Sequence, residues 1–381
     1  MRAEIGKSKI RDGKSKKMPV DRELLILTLI LLALGTVMVY SASYPYASSH
    51  FGDKLYYLKR HCVFLTIGLI GMAVFSKIPE MLYKKYSPLF FFVCIALLVL
   101  VLVGGFSEGI AKRWLGIPGT PLSFQPSELM KLGIILMLSW WIAKNIEEKR
   151  TFGREILVPG AILFGSCALV LLEKHLSGTI ILALIGFSVL FISGASVKKM
   201  ILTYGVTGVA GGISFLLTNE YAMKRIESFL NPNADILSDK WQTTQGLYAI
   251  GSGGLWGKGI GNSVQKYSYV SEPQNDFVFT IWCEETGYIG AVVLVLLFLL
   301  LIVRGFKVAF NTDSVFSSLV AFGITCQIGI QALLNIGVVT DLIPNTGISL
   351  PFFSYGGSSL VILLAEVGIL LSISRNARIC S

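Results

Sequence analysis

The stretch DFVFTIWCEETGYIGAVVLVLLFLLLIV, residues 276–303, is a single carboxylate followed by a long apolar run that holds only two further charged residues, Glu284 and Glu285. As a helix with a rise of 1.5 Å per residue, these 28 residues would be about 42 Å long, whereas the hydrocarbon core of a bilayer is about 30 Å thick. A membrane-spanning helix is therefore predicted, and its first turns must emerge from the core, tilt or break. Asp276 is predicted to lie at the outer boundary of the hydrocarbon core.

The rest of the chain has the same character. Of its 381 residues 53% are hydrophobic and 15% are charged, and its mean hydropathy is +0.68, values outside the range of soluble domains. The predicted fold is all-α, a polytopic membrane protein with ten spans. The ten apolar windows are Leu24–Ser43, Cys62–Ser76, Leu89–Gly104, Ser127–Ala143, Ile156–Leu172, Ser177–Gly194, Met200–Leu217, Phe277–Val303, Val315–Thr340 and Ser349–Ile373.

The positive charges set the orientation of these spans. Most of the 33 Lys and Arg residues fall in segments that share a side with the N-terminus, which predicts cytoplasmic N- and C-termini. The predicted organisation is a basic cytoplasmic tail over residues 1–23, a membrane domain over residues 24–373 and a cytoplasmic C-terminus over residues 374–381. The net charge of +10 is thus explained by the membrane surface, and no nucleic-acid partner is predicted.

The longest connection, residues 218–275, lies outside the cell in this topology and carries Phe229, Trp241, Tyr248 and Trp256 among its charges. Amphipathic aromatic residues favour the headgroup level. Short amphipathic helices lying on the membrane are predicted for this extracellular loop, and Asp276 at its end is predicted to be accessible from outside.

Ionisable residues within spans are costly unless they are paired or hydrated, so each is a candidate for function. Glu128 and Lys131 are three residues apart at the start of the fourth span. An intrahelical ion pair and a substrate site are equally compatible with that spacing. Arg113 precedes them at the outer interface and is suited to contact a phosphate. Glu366, deep in the last span, requires a partner that the sequence does not name.

A glycine-rich stretch, residues 246–261, precedes the Asp276 segment and is followed by Lys266. It lacks the ending of a nucleotide-binding P-loop. Its glycines permit close backbone approach to a ligand, with Lys258 and Lys266 available to a diphosphate, but a compact turn-rich loop with solvated lysines is slightly favoured.

Two further patterns concern helix faces. If residues 276–285 form one helix, Glu284 lies closer than Glu285 to the face of Asp276. Gln327, Gln331 and Asn335 recur every four residues in the ninth span, which favours hydrogen bonds between helices over a hydrated path.

Four segments together carry a resemblance to a known family. They are KRWLGIPGTPLSFQPSELMKL (112–132), GSGGLWGKGIGNSVQK (251–266), EPQNDFVFTIWCEETGYIG (272–290) and IPNTGISLPFFSYGGSS (343–359). In order and spacing they resemble the signature segments of the SEDS family, named for shape, elongation, division and sporulation. Residues 261–279 look more like the division protein FtsW and its sporulation relative SpoVE than like the elongation protein RodA.

The resemblance implies an inverting peptidoglycan glycosyltransferase. Such an enzyme joins the 4-hydroxyl of one lipid II disaccharide to the anomeric carbon of another and expels undecaprenyl diphosphate. The family's essential aspartate falls on Asp276, whose partly desolvated carboxylate suits a general base. No organic cofactor is expected, and a divalent cation, Mg or Mn, is a candidate for stabilising the diphosphate. The predicted substrate-binding residues are Arg113, Glu128, Lys131, Lys258, Lys266, Glu285 and Ser358.

The resemblance also implies partners and a location: a class B penicillin-binding protein as transpeptidase, other divisome membrane proteins, and the division septum of the bacterial cytoplasmic membrane. One departure concerns residues 173–179, EKHLSGT, where many members have Pro-Asp-Leu-Gly-Thr. Either Glu173 or His175 substitutes for the missing aspartate, or its role is dispensable.

Two other functions fit a ten-span chain. One is a lipid II flippase, for which an internal repeat with paired half-helices is expected and is not visible in the sequence. The other is a non-catalytic scaffold for a transpeptidase, in which the carboxylate of Asp276 would be incidental.

Overall fold

The computed structural model describes residues 20–107, 112–116, 123–146, 151–218, 220–230, 240–267, 269–270 and 272–377. Most of the predicted basic tail and the last four residues lie outside this range. The helices are α1 Arg22–Phe51, α2 Tyr56–Phe75, α3 Glu80–Gly104, α4 Pro126–Lys144, α5 Val158–Leu172, α6 Leu176–Ile192, α7 Val197–Met200, α8 Val206–Thr218, α9 Glu220–Leu230, α10 Trp241–Ser252, α11 Val278–Phe310, α12 Val315–Val339 and α13 Gly357–Ser374.

Seven helical segments of the described chain are long and apolar enough to cross a membrane: α1, α2, α3, the continuous segment Gly153–Leu172, α11, α12 and α13. The first turn of that continuous segment, Gly153–Leu157, is π-helical. The other three predicted windows also fall on helices, namely α4, α6, and α7 with α8, which a π-helical turn, Ile201–Gly205, joins. The polytopic helical fold is confirmed, whereas the count of ten spans stays a prediction.

Both ends of the described chain lie at one face of the bundle. The backbone N–H of Asp21 donates to Ser374 Oγ at 3.0 Å, and Arg304, near the end of α11, donates from Nε to Asp21 Oδ2 at 2.8 Å. Thr312 and Ala377 form an isolated β-bridge close by. The start of α1 and the ends of α11 and α13 therefore meet, as expected if both termini face the cytoplasm.

A small antiparallel sheet interrupts the otherwise helical architecture. Its strands lie in the connection between α3 and α4, with order β1 Phe106–Ser107, β2 Lys112–Gly116 and β3 Ser123–Phe124. These strands are not predictable from the sequence, because runs of two to five residues are too short for alternation to be detected. The sheet leads directly into α4, and so positions the N-terminal turn of that helix.

Helix α11 is broken at Gly287, which has φ 70° and ψ −169°. Of the three possibilities predicted for this overlong segment, the structure adopts the break. A Cβ atom added at Gly287 would lie 2.3 Å from the backbone nitrogen of Gly257, so glycine is required both by the positive φ and by the close approach of the loop. The break separates a short outer helix, which carries Glu284 and Glu285, from the apolar span below it.

Candidate functional site

Asp276 lies in a turn immediately before α11 rather than on the helix itself. Asn335 of α12 donates from Nδ2 both to the backbone oxygen of Asp276, at 2.7 Å, and to that of Ile348, at 2.6 Å. A second hydrogen bond joins this turn to the loop that precedes α13: the backbone N–H of Tyr355 donates to the oxygen of Gln274 at 2.7 Å. The turn is therefore fastened to α12 and to the loop that precedes α13.

The predicted polar stripe of α12 thus makes hydrogen bonds between elements, as favoured from the sequence. At its inner end Gln327 donates from Nε2 to Glu366 Oε2 at 2.7 Å, which supplies the partner of Glu366 that the sequence could not name. Gln331, between them, lines the cavity described below.

The side chain of Asp276 is half-buried and lies beside Gly347, where an added Cβ atom would be 3.4 Å from Oδ2. Burial raises the pKa of Asp276 to about 6, and the nearby negative charge of Glu272 acts in the same direction. A backbone hydrogen bond and the positive charge of Arg225 oppose this rise. The carboxylate is therefore ionised at neutral pH, yet much more basic than an exposed aspartate.

Arg225 is a further functional candidate, which is not evident from the sequence. It lies on α9, in the long outer loop, and donates from Nη1 to the backbone oxygen of Asn345 at 2.8 Å. Asn345 belongs to the loop that continues into Gly347 and the cavity wall. An amphipathic helix thereby brings a guanidinium close enough to Asp276 to affect its pKa. The proximity of Arg225 to Asp276 is visible only in the tertiary structure, since the two residues are 51 positions apart in the chain.

A cavity of about 260 Å³ adjoins Asp276. Its wall includes both Asn275 and Gly347, which neighbour the carboxylate in sequence and in space. The complete lining is Trp114, Gln125, Glu128, His175, Ser177, Gly178, Ile181, Asn275, Gln331, Gly347, Ile348, Ser349, Tyr355, Gly356, Gly357 and Ser359. More than half of these residues have polar side chains, which can form hydrogen bonds with an oxygen-rich ligand.

Glu128 and Lys131 form the ion pair suggested by their spacing, with Lys131 Nζ 2.8 Å from Glu128 Oε2. Lys131 is almost fully buried, while Glu128 lines the cavity. The pair therefore compensates two charges at membrane depth and also presents one carboxylate to the cavity, so the two alternatives from the sequence are both compatible with the structure.

The glycine-rich segment packs against the broken helix α11. The backbone N–H groups of Lys258 and Gly259 donate to the carbonyl oxygens of Glu284 and Glu285, at 3.0 and 2.9 Å. A Cβ atom added at Gly257 would lie 2.2 Å from the Glu285 oxygen. The close approach that these glycines permit is thus to the protein's own backbone, and the turn-rich alternative describes the loop correctly.

The lysines of this loop form ion pairs with the two glutamates. Lys258 Nζ lies 2.6 Å from Glu284 Oε1, and Lys266 Nζ lies 2.8 Å from Glu285 Oε1. Lys266 is buried, so the expectation that it is a solvated lysine is wrong. Neither pair lines the cavity next to Asp276, and roles for Lys258, Lys266 and Glu285 in substrate binding remain predictions.

Two other predicted residues lie near the cavity without lining it. Arg113, on β2, donates from Nη2 to the backbone oxygen of Lys174, which anchors the small sheet to the turn between α5 and α6. Ser358 accepts a hydrogen bond from the backbone N–H of Gln125 at 3.4 Å, whereas its neighbour Ser359 lines the cavity. Their contributions to substrate binding stay predictions.

Comparison with known proteins identifies the family. A family model described as a cell cycle protein, for FtsW, RodA and SpoVE, matches residues 22–379. The chain belongs to this family. Stage V sporulation protein E of Bacillus subtilis (strain 168) is 39% identical over 366 residues, 96% of this chain and 99% of the relative. A probable peptidoglycan glycosyltransferase FtsW of Geobacter sp. (strain M18) is 38% identical over 362 residues, 94% of this chain and 97% of the relative.

Solved structures of the FtsW, RodA and SpoVE family share the fold. A chain from a peptidoglycan synthase complex, studied for how polymerization and crosslinking are coordinated, superposes with a TM-score of 0.77 at 26% identity, covering 93% of this chain and 98% of that one. The Thermus thermophilus rod shape determining protein RodA has a TM-score of 0.70 at 27% identity, covering 95% and 98%. The predicted SEDS membership, closer to FtsW and SpoVE than to RodA, is confirmed.

Proposed function

We propose that this chain is a peptidoglycan glycosyltransferase that joins lipid II disaccharides into glycan strands and releases undecaprenyl diphosphate. The observation that carries the proposal is the Asp276 carboxylate, with a pKa raised to about 6 by burial, held beside a polar cavity at the outer end of a broken membrane helix. A substrate with a sugar head in water and a polyprenyl tail in lipid requires a site at this level.

In the reaction, Asp276 accepts the proton of the acceptor's 4-hydroxyl as that oxygen bonds to the anomeric carbon of the donor. The bond between this carbon and the diphosphate oxygen breaks, and the diphosphate leaves with the electron pair. Attack opposite the leaving group inverts the anomeric configuration. General-base assistance of this kind contributes about 10²- to 10⁴-fold to a rate.

A divalent cation, Mg or Mn, is part of the proposal. Among the described residues, no three His, Cys, Asp or Glu side chains come together as a metal site. A cation would therefore take most of its oxygen ligands from the substrate diphosphate, an arrangement common for Mg²⁺. No step above depends on it.

The proposed partners are a class B penicillin-binding protein, which crosslinks the new strand, and other membrane proteins of the divisome. The proposed location is the cytoplasmic membrane at the division septum. The similarity to a chain from a complex that coordinates polymerization and crosslinking, and to FtsW relatives, supports this assignment.

The proposal is tested by supplying purified protein with labelled lipid II, alone and with a class B penicillin-binding protein, and separating the glycan products by length. Polymer that depends on the protein is expected. Transfer of lipid II across vesicles without polymer would instead identify a flippase, and neither activity, with transpeptidation by the partner stimulated, would identify a scaffold.

Arg225→Gln is expected to raise the KM for lipid II about 3- to 10-fold, because it removes a positive charge near Asp276 that attracts the anionic substrate. Arg225 also lowers the pKa of Asp276, so its loss raises that pKa further. The acidic limb of the rate profile should therefore move to higher pH. Polymerisation rates between pH 5 and 8 check both effects.

The matched control is Lys224→Gln, which removes one positive charge from an exposed neighbouring position on α9. If Lys224→Gln shifts KM and the acidic limb as much as Arg225→Gln does, the effect is one of general charge, and the specific role of Arg225 is wrong.

A further inference from the structure

The turn between α5 and α6 brings an imidazole to the cavity. His175 precedes the first residue of α6, and its Nδ1 atom lies 3.2 Å from Gln125 Nε2 and 3.2 Å from Ser127 Oγ, at the start of α4. His175 and Gln125 both line the cavity beside Asp276, together with Glu128. The turn that departs from the family pattern therefore contributes directly to the candidate site.

These contacts assign the tautomer of His175. With the Gln125 amide oriented so that its Nε2 faces the ring, Nδ1 accepts, because an amide nitrogen only donates, and the single proton of the neutral imidazole is then on Nε2. Burial lowers the pKa of His175 to about 3, and the positive charges of Arg113 and Lys131 act in the same direction. The ring is therefore neutral throughout the pH range in which a polymerase works, and Nε2 is a donor without charge.

The ring is also held in one orientation. A Cβ atom added at Gly178 would lie 2.5 Å from His175 Nδ1 and 2.6 Å from Cε1, so the imidazole rests against the first turn of α6. The carbonyl of the adjacent Lys174 is bound by Arg113 of the small sheet. Within the described part of the chain, the hydrogen bonds of the ring are all made by Nδ1, which leaves Nε2 for a ligand.

We propose that His175 is a substrate-binding residue whose Nε2–H donates a hydrogen bond to an uncharged oxygen of a bound sugar, a hydroxyl or an acetamido carbonyl. This inference rests on the proposed function. A sugar oxygen fits this donor better than a phosphate oxygen, because a neutral N–H has no charge to offset that of a phosphate. Gln125 and Ser127 act through His175 by fixing its tautomer.

Kinetics of two variants test the inference. His175→Phe removes the donor but keeps a flat ring, and should raise the KM for lipid II about fivefold to tenfold, in line with one lost hydrogen bond. His175→Gln places an amide N–H near the position of Nε2 and should restore KM to within about threefold. The midpoint of the acidic limb of the rate profile should stay at the wild-type value in both, since Asp276 sets it.

A purely structural role has a different signature. If His175 only joins α4 to α6, His175→Phe lowers the thermal stability of the purified protein and the yield of active enzyme, while the KM of the folded fraction is unchanged and Gln gives no rescue. That result would overturn the inference while leaving the proposed function intact.

A direct measurement uses the small number of histidines. The chain has three, His50, His61 and His175, so ¹⁵N-labelled histidine gives three imidazoles to assign, with His175→Gln identifying the relevant signals. The Nε2–H tautomer is expected for His175. In an Asp276→Asn background, which is not expected to consume substrate, lipid II should shift its Nε2 signal and leave that of His50 in place.

The outcomes separate the two proposals. An Nδ1–H tautomer, or a His175 signal indifferent to saturating lipid II, contradicts the inference. A lipid II-dependent shift in a protein that makes no polymer, alone or with its partner, contradicts the proposed function and leaves His175 as part of a lipid II binding site.

Discussion

Replacing Asp276 with Asn is expected to reduce glycan polymerisation by about 10²- to 10⁴-fold, the contribution typical of a general base. Asn has nearly the same shape as Asp but cannot accept a proton from the acceptor hydroxyl. The turn should keep its position, because Asn335 holds the backbone oxygen of residue 276 and not its side chain. Loss of activity without loss of folded protein is therefore expected.

The measurement is polymer formed from labelled lipid II per minute, with thermal unfolding in detergent as the check on folding. Asp341→Asn is the matched control, since it removes another carboxylate from the neighbouring loop, at a position with φ 57° that Asn tolerates. A variant Asp276→Asn that polymerises at the wild-type rate would show that Asp276 is not the base.

The pKa of the Asp276 carboxylate predicts the pH dependence of the wild-type enzyme. The reactive species is the ionised carboxylate, and its pKa of about 6 is raised above the ordinary value. Activity should therefore be retained above that pH and fall about tenfold per unit below it.

Lys266→Met is expected to have the largest effect on stability. Lys266 and Glu285 are both fully buried, and Lys266 also donates to Ser41 Oγ of α1 at 3.2 Å and to the oxygen of Gly261 at 2.7 Å. Removing one member of such a pair leaves an uncompensated buried charge, which costs about 3–5 kcal/mol. A large drop in melting temperature and in the yield of folded protein is expected.

A double variant shows whether the uncompensated charge is the cause. Lys266→Met with Glu285→Leu removes both charges and should recover most of the lost stability, because well-packed apolar replacements of buried pairs are often neutral. Lys59→Met is the control: its pair with Asp53 is exposed, at 65% and 42%, and is screened by solvent, so the melting temperature should hardly change. A double variant no more stable than Lys266→Met alone would refute this account.

The spans could be predicted from the sequence because each depends on local composition. Each of the ten apolar windows contains a helix, although the first eight residues of the tenth, 349–356, lie in the loop before α13. The excess length of residues 276–303 indicated an irregularity, and only the structure gives its position, Gly287. Asp276 lies in a turn and not on α11, so it shares no helix face with either Glu284 or Glu285, and the prediction that Glu284 is the closer of the two on such a face does not apply.

Contacts between distant segments account for what was missed. The partners of Glu366 and Glu285 lie on other elements, at Gln327, and at Lys266 and Ser41. The proximity of Arg225 to Asp276 requires α9 to fold back onto the loop at Asn345. Spacing in a single sequence reports which residues share a helix face, and it carries no information on which helices become neighbours.

The interruption of α11 has a mechanical consequence. If α11 were one continuous helix, a tilt of its inner end, where Arg304 forms an ion pair with Asp21, would also move the turn that contains Asp276. The break at Gly287 separates the outer nine residues of α11 from the membrane-spanning part. These nine residues pack on the glycine-rich loop and carry Glu284 and Glu285. The glycine-rich loop bridges this break: the backbone N–H groups of Tyr288 and Ile289, beyond it, donate to the oxygens of Gly254 and Leu255, and the N–H of Lys258 donates to that of Glu284, before it. Both parts of α11 are therefore tied to one loop, so a displacement of that loop would move the outer turns that directly follow Asp276.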